Sequence, residues 1–201
     1  MELCLKNITT PFFKIKDLQI SSGERVLIKG QSGTGKTTLL HLLAGLYPPH
    51  SGEVLWAGTP ISGCNENEIS HRRKNAMALV FQNLNLLPYL TALENLQLVG
   101  LDSRLSQEML KLVGLENKAL LRTQSLSLGE QQRIAVARVL GQKPSVILAD
   151  EPTSSLDDHN SEQIMKLLMD QQSSPSIIMV SHDHRVEKYF TRVLDMKEIT
   201  Q

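Results

Sequence analysis

Arg25-Val26-Leu27-Ile28-Lys29-Gly30-Gln31-Ser32-Gly33-Thr34-Gly35-Lys36-Thr37-Thr38-Leu39-Leu40 is the stretch on which the reading of this sequence turns. A short apolar run leads into a glycine-rich loop of the pattern G-x-x-x-x-G-K-[ST], Gly30 to Thr37. Leu39, Leu42, Leu43 and Leu46 then follow the i, i+3, i+4, i+7 spacing of a helix with one buried face, ended by Gly45 and Pro48-Pro49. Strand, loop and helix in that order make a cradle for a phosphate chain. Glycines let the backbone wrap an anion and aim its N–H groups inward, and the start of the helix adds a favourable dipole. The plainer alternative is a glycine-rich turn with a surface lysine.

Outward from the cradle, strand patterns alternate with helical ones, which predicts an α/β fold with a mainly parallel sheet. Leu3, Leu5, Ile15 and Ile20, with a turn at Ser21 to Glu24, read as short, partly exposed strands beside that sheet. Ser51 to Trp56 and Met77 to Phe81 read as further strands, separated by a polar loop whose Arg72-Arg73-Lys74 forms a solvated face. Between Leu84 and Gly141 strand patterns disappear and helical signals replace them. Thr91 with Glu94 and Ser127 with Glu130 have the S/T-x-x-E spacing of reciprocal helix caps. Val146 to Ala149 and Ile177 to Val180 restore buried strands, with a helix from about Asp158 to Gln171 between them.

Val146-Ile147-Leu148-Ala149-Asp150-Glu151 is an apolar strand that ends in two adjacent acids. Side chains on a strand alternate in direction, so the pair can divide two tasks only at the tip, where the chain turns. Alone, the pattern is equally a strand stop followed by a solvated turn. Beside a phosphate cradle it points to nucleotide hydrolysis. Lys36 then reaches the β- and γ-phosphates, and the Thr37 hydroxyl and Asp150 serve Mg²⁺. Glu151 orients or deprotonates the attacking water.

Composition narrows the classes. The 201 residues suffice for one compact domain, with 41% hydrophobic and 21% charged residues. Lys plus Arg and Asp plus Glu are 21 each, so there is no overall positive field to attract nucleic acid or anionic lipid. No apolar run reaches the roughly 18 to 20 residues of a membrane-spanning helix. The first residues lack the basic and apolar regions of a secretory signal, so a cytoplasmic location is expected. Cys4 and Cys64 have neither disulfide-framework nor zinc-site spacing.

With these residues in place, the chain resembles the ATP-binding (nucleotide-binding) subunit of ATP-binding cassette (ABC) transporters over nearly its whole length. Gly30 to Thr37 corresponds to the Walker A loop and Val146 to Glu151 to Walker B. Phe81-Gln82 resembles the Q-loop, Leu126 to Gln132 the family signature, Ser155-Leu156-Asp157 the D-loop, and Ser181-His182-Asp183 the H-loop. The resemblance implies a P-loop NTPase with a RecA-like core, a small antiparallel β-subdomain and an inserted α-helical subdomain. The expected division is 1–82 and 142–201 as ATPase core with the β-subdomain, and 83–141 as the helical subdomain.

Roles follow from the same resemblance. Gly30, Gln31, Ser32, Gly33, Thr34, Gly35, Lys36, Thr37 and Thr38 would hold ATP, with Phe12 stacked on adenine and Phe13 as the competitor for that place. Glu151, His182 and Gln82 would be catalytic, His182 bonding the γ-phosphate and Gln82 also sensing Mg²⁺ together with Thr37 and Asp150. The other histidines receive no role. Ser127, Leu128, Gly129 and Glu130 would complete the site of a second copy in a head-to-tail homodimer formed on ATP binding, with the D-loop beside them. This signature departs from Leu-Ser-Gly-Gly-Gln: Leu128 replaces a glycine, and Glu130 the glutamine.

The expected partners are membrane permease subunits encoded separately, with membrane contact only through them, on the cytoplasmic face of the inner membrane, and with no nucleic acid. Val80 to Pro88 and Thr91 to Asn95 are similar to the lipoprotein-release and macrolide-export branch. The alternative is a nucleotide-gated regulatory module of the same family, for example one controlling cell-wall enzymes, without solute transport. A DNA-repair ATPase would need a long coiled-coil insertion, and a small-molecule kinase would need an acceptor lid.

Overall fold

The computed structural model describes residues 1–200. Two compact units emerge: one from Met1–Leu79, Pro144–Glu151 and the chain from Ser173 onward, the other from Val80–Lys143 and Pro152–Gln172. No helix of the described residues is long and apolar enough to cross a membrane.

The first unit carries two sheets. Strands β1 (Leu3–Thr9), β2 (Lys14–Ile20), β4 (Ser51–Trp56) and β5 (Thr59–Pro60) form an antiparallel sheet in the order β2-β1-β4-β5. Leu3 lies opposite Ile20 and Trp56, and Leu5 opposite Leu18 and Val54. Alternation therefore turns Leu3, Leu5, Leu18, Ile20, Val54 and Trp56 to one apolar core face, and the irregularity at Asn7 (φ +50°) brings Ile15 into the same core. Strands β3 (Arg25–Lys29), β6 (Met77–Val80), β7 (Val146–Asp150), β8 (Ser176–Val180) and β9 (Arg192–Asp195) form the second sheet, in the order β6-β7-β8-β3-β9. The β7–β8, β8–β3 and β3–β9 pairings are parallel. Every residue of β7 and β8 is buried, as expected of strands covered on both faces.

Helix α1 (Lys36–Leu43) follows the glycine loop and buries Leu39, Leu42 and Leu43. Leu46, expected on the same face, lies beyond the helix and is exposed, because Gly45 turns the chain with φ +62°. Residues 66–76, expected as a polar loop, are helix α2 (Glu66–Ala76), with no fully buried residue and hence no apolar period to reveal it. Its start is fixed by a capping box between Asn65 and Glu68. Arg72 and Arg73 are not a solvated face. Arg73 donates to the carbonyls of Ala44 (3.2 Å) and Gly45 (3.3 Å) at the end of α1, and the Arg72 guanidinium stands 5.5 Å from the Trp56 ring centroid. Strand β9 and helix α7 (Met196–Ile199) had no counterpart in the sequence reading.

The second unit is helical: α3 (Ala92–Gln97), α4 (Ser103–Leu112), α5 (Leu128–Gly141) and α6 (Asp158–Met169). Its core joins Ala92, Leu96, Leu110, Val113, Ile134 and Ala137, with Leu167 of α6 packed against them. Thr91 caps α3 through the expected box with Glu94.

Candidate functional site

Of the seven α-helices, α1 alone begins without a side-chain hydrogen bond from its N-cap residue, among the described residues. Gly35 occupies that cap position at φ +90°. A methyl group there would stand 2.7 Å from the Phe13 ring, so only glycine lets the loop pack this closely. The open helix start suits an anion. Phe13 is buried beneath the loop, whereas Phe12 is 64% exposed. That exposure leaves Phe12 as the available aromatic face.

Lys36, the first residue of α1, is buried. Its ammonium donates to the carbonyls of Gly30 (2.7 Å) and Gln31 (3.1 Å), and it stands 3.7 Å from Glu151 Oε1. Thr34 donates its hydroxyl to Gln31 (2.8 Å), closing the loop on itself. Gln31, Ser32, Gly33 and Thr37 are exposed and Thr38 half-buried.

At the tip of β7 the chain separates its two acids as expected. Asp150 ends the strand, and Glu151 follows at φ +48°, a conformation few non-glycine residues adopt. Burial pushes the Asp150 carboxyl up from its ordinary range, opposed by a hydrogen bond from the Thr37 hydroxyl. Glu151 is buried and serves as a hub. Its Oε1 lies 2.8 Å from His182 Nδ1, and its Oε2 accepts from the Ser181 hydroxyl (3.0 Å) and the His182 N–H (3.4 Å). The imidazole itself is exposed. Ser181 belongs to the H-loop, and the sequence reading assigns it no role. Its place directly after the apolar run Ile177 to Val180 is the sequence signal, and the structure buries it.

Within the second unit, Ser127 and Glu130 form the expected capping box at the start of α5: Glu130 N–H donates to Ser127 Oγ (3.3 Å) and Ser127 N–H to Glu130 Oε2 (3.0 Å). Leu128 is 48% exposed, and Gly129 is buried. A methyl group on Gly129 would stand 2.7 Å from Asn160 Oδ1. Asn160 accepts from Arg133 (2.8 Å) and donates to Asp157 (2.7 Å), the cap of α6. Signature and D-loop are thus tied through Asn160, which the sequence reading missed. Ser155 is exposed and Leu156 half-buried in the turn before α6, and Gln82 is exposed in the turn after β6.

The model of the ABC transporter family matches residues 13–154. The chain belongs to the ABC transporter family. It is 39% identical over 199 residues to the lipoprotein-releasing system ATP-binding protein LolD of Xanthomonas campestris pv. campestris, covering 94% of this chain and 83% of LolD. Among solved structures it is similar to the ATP-binding cassette MJ0796 in a dimeric post-hydrolysis state bound to ADP and Pi. That match has a TM-score of 0.87 and 34% identity, over 96% of this chain and 93% of the other. CbiO1 of Clostridium perfringens, part of the transporter complex cbiONQ, matches with a TM-score of 0.84 and 28% identity, over 96% and 83%. This cassette is therefore an ATP-binding subunit with the P-loop NTPase fold, and an ATPase.

Proposed function

We propose that the cassette hydrolyses ATP at the interface of a head-to-tail homodimer and drives shape changes in separate membrane permease subunits. One observation carries the catalytic part: Glu151, the water-activating carboxylate of this reading, lies 3.7 Å from Lys36, the phosphate-gripping ammonium. Gly30 to Thr38 and the open start of α1 receive the phosphate chain, and Phe12 stacks on adenine. Glu151 holds the attacking water and takes its proton. Ser181 and the His182 N–H fix the Glu151 carboxylate, and His182 bonds the γ-phosphate, stabilising charge as it develops.

Mg²⁺ fits this donor set. The Thr37 hydroxyl and the Asp150 carboxylate meet in a hydrogen bond, and hard oxygen ligands of this type suit a cation that also keeps phosphate oxygens and waters. Among the described residues no group of three or more His, Cys, Asp or Glu could hold a metal ion alone, so the nucleotide would complete the shell, with Gln82 as a further contact. When bound, the cation neutralises phosphate charge.

Ser127, Leu128, Gly129 and Glu130 of one copy close over the ATP of the other, with Ser155, Leu156 and Asp157 beside them. The similarity to dimeric MJ0796, at a TM-score of 0.85, supports the pairing. Residues 83–141 act as the insert that passes the motion on, and 1–82 with 142–201 as the ATPase core. The relation to LolD favours lipoprotein release over small-solute efflux. In this reading the cassette works at the cytoplasmic face of the inner membrane, with no membrane contact except through the permease. Mixing tests the shared site. Lys36→Met and Ser127→Asp variants should each lack activity, yet together restore about a quarter of wild-type turnover, because a mixed dimer keeps one intact cradle facing one intact signature. A mixture as inactive as its parts overturns the proposal.

A further inference from the structure

We propose that Lys118 is a charge-balancing residue for the signature, its ammonium cancelling the carboxylate that Glu130 places at the start of α5, where a partner copy's ATP phosphates arrive. The inference rests on the shared-site reading above. Glu130 belongs to the capping box, and its Oε2 stands 3.0 Å from the backbone nitrogen of Ser127. A carboxylate here favours the helix dipole but occupies the Ser127 N–H and the positive potential that an incoming phosphate would use. The usual glutamine could cap the helix without that charge.

Lys118 resolves the conflict. It lies at the end of a short 3₁₀ turn, Glu116–Lys118, and pairs with Glu130 Oε1. The carboxylate is thus held from both sides, by the Ser127 N–H and by the ammonium. The same ammonium holds the Glu130 carboxyl below its usual range. Its side chain is 42% exposed against 15% for Glu130, so the pair sits at the surface of the second unit rather than in its core. Surface pairs of this kind contribute little to folding, which leaves the charge at the helix start as its consequence.

The test is a double-mutant cycle on the full chain in a Glu151→Gln background, where ATP persists, reading the dimer dissociation constant by sedimentation with ATP and Mg²⁺. Lys118→Met keeps the apolar stem and removes the charge. It should weaken each ATP site about fivefold, hence the two-site dimer about 25-fold. Made on top of Glu130→Gln, the same change should cost less than about threefold, and the melting temperature should not follow the loss. Equal losses in both backgrounds would assign Lys118 to the fold and overturn the proposal, as would no loss in either. Ser127→Asp, which keeps a capping group, judges the underlying reading separately. An unweakened dimer there removes the shared site and this proposal with it, whereas a weakened dimer without Lys118–Glu130 coupling removes only this one.

Discussion

Replacing Glu151 by glutamine changes one oxygen into an amide nitrogen and removes the negative charge 3.7 Å from the Lys36 ammonium. The packing volume is retained, so the effect is chemical. The Glu151 carboxylate accepts from Ser181 Oγ and His182 N and meets His182 Nδ1. The amide keeps the best of these contacts if its nitrogen turns to Ser181, whose hydroxyl can rotate and accept. The weak 3.4 Å contact is then lost, at a cost of about 1 kcal/mol in stability. For a chain of this size that is about 2–4 °C in melting temperature. Turnover should fall far more, by about 10²–10⁴, because the group that takes the proton from water is gone. Single-turnover hydrolysis with excess enzyme measures the chemical step, and gel filtration with ATP and Mg²⁺ measures pairing, which should shift from monomer toward dimer. Turnover within about threefold of wild type would refute the base assignment, and a monomer unmoved by ATP would refute the pairing.

Phe12→Ala should raise the KM for ATP about tenfold with an unchanged melting temperature, whereas Phe13→Ala should cost about 3–5 kcal/mol of stability, and the reverse pattern would exchange their roles. Gly129→Ala should displace Asn160 and cost about 1–3 kcal/mol with a roughly tenfold loss of turnover; adding Asn160→Ser should recover most of both, and failure of that rescue would show the clash is not the cause. Asp150→Asn should abolish Mg²⁺-dependent turnover and yet raise the nucleotide-free melting temperature at pH 7.5 by about 2–4 °C. The sign follows from the raised Asp150 carboxyl: its favourable contribution is present below the unfolded pKa and is lost as pH rises through the folded one. The gain from asparagine should therefore shrink on acidification, and a gain independent of pH would contradict the cause.

What the sequence determined on its own is local. Gly30 to Thr37 between a strand and a helix, the capping pairs Thr91–Glu94 and Ser127–Glu130, and the buried strands β7 and β8 are all written in spacing over a few residues, because backbone geometry maps short spacing directly onto direction. Helix α2 escaped because it buries no residue fully and so has no apolar stripe, and β9 because an edge strand of four partly exposed residues leaves no pattern. Only the tertiary structure decided which groups meet across long separations. It set Ser181 on Glu151, 30 residues apart, Arg73 on the end of α1, and Asn160 against Gly129. It also buried Phe13 and left Phe12 exposed. These contacts depend on how sheet and helices pack, and packing is a property of the whole chain rather than of any short stretch of it.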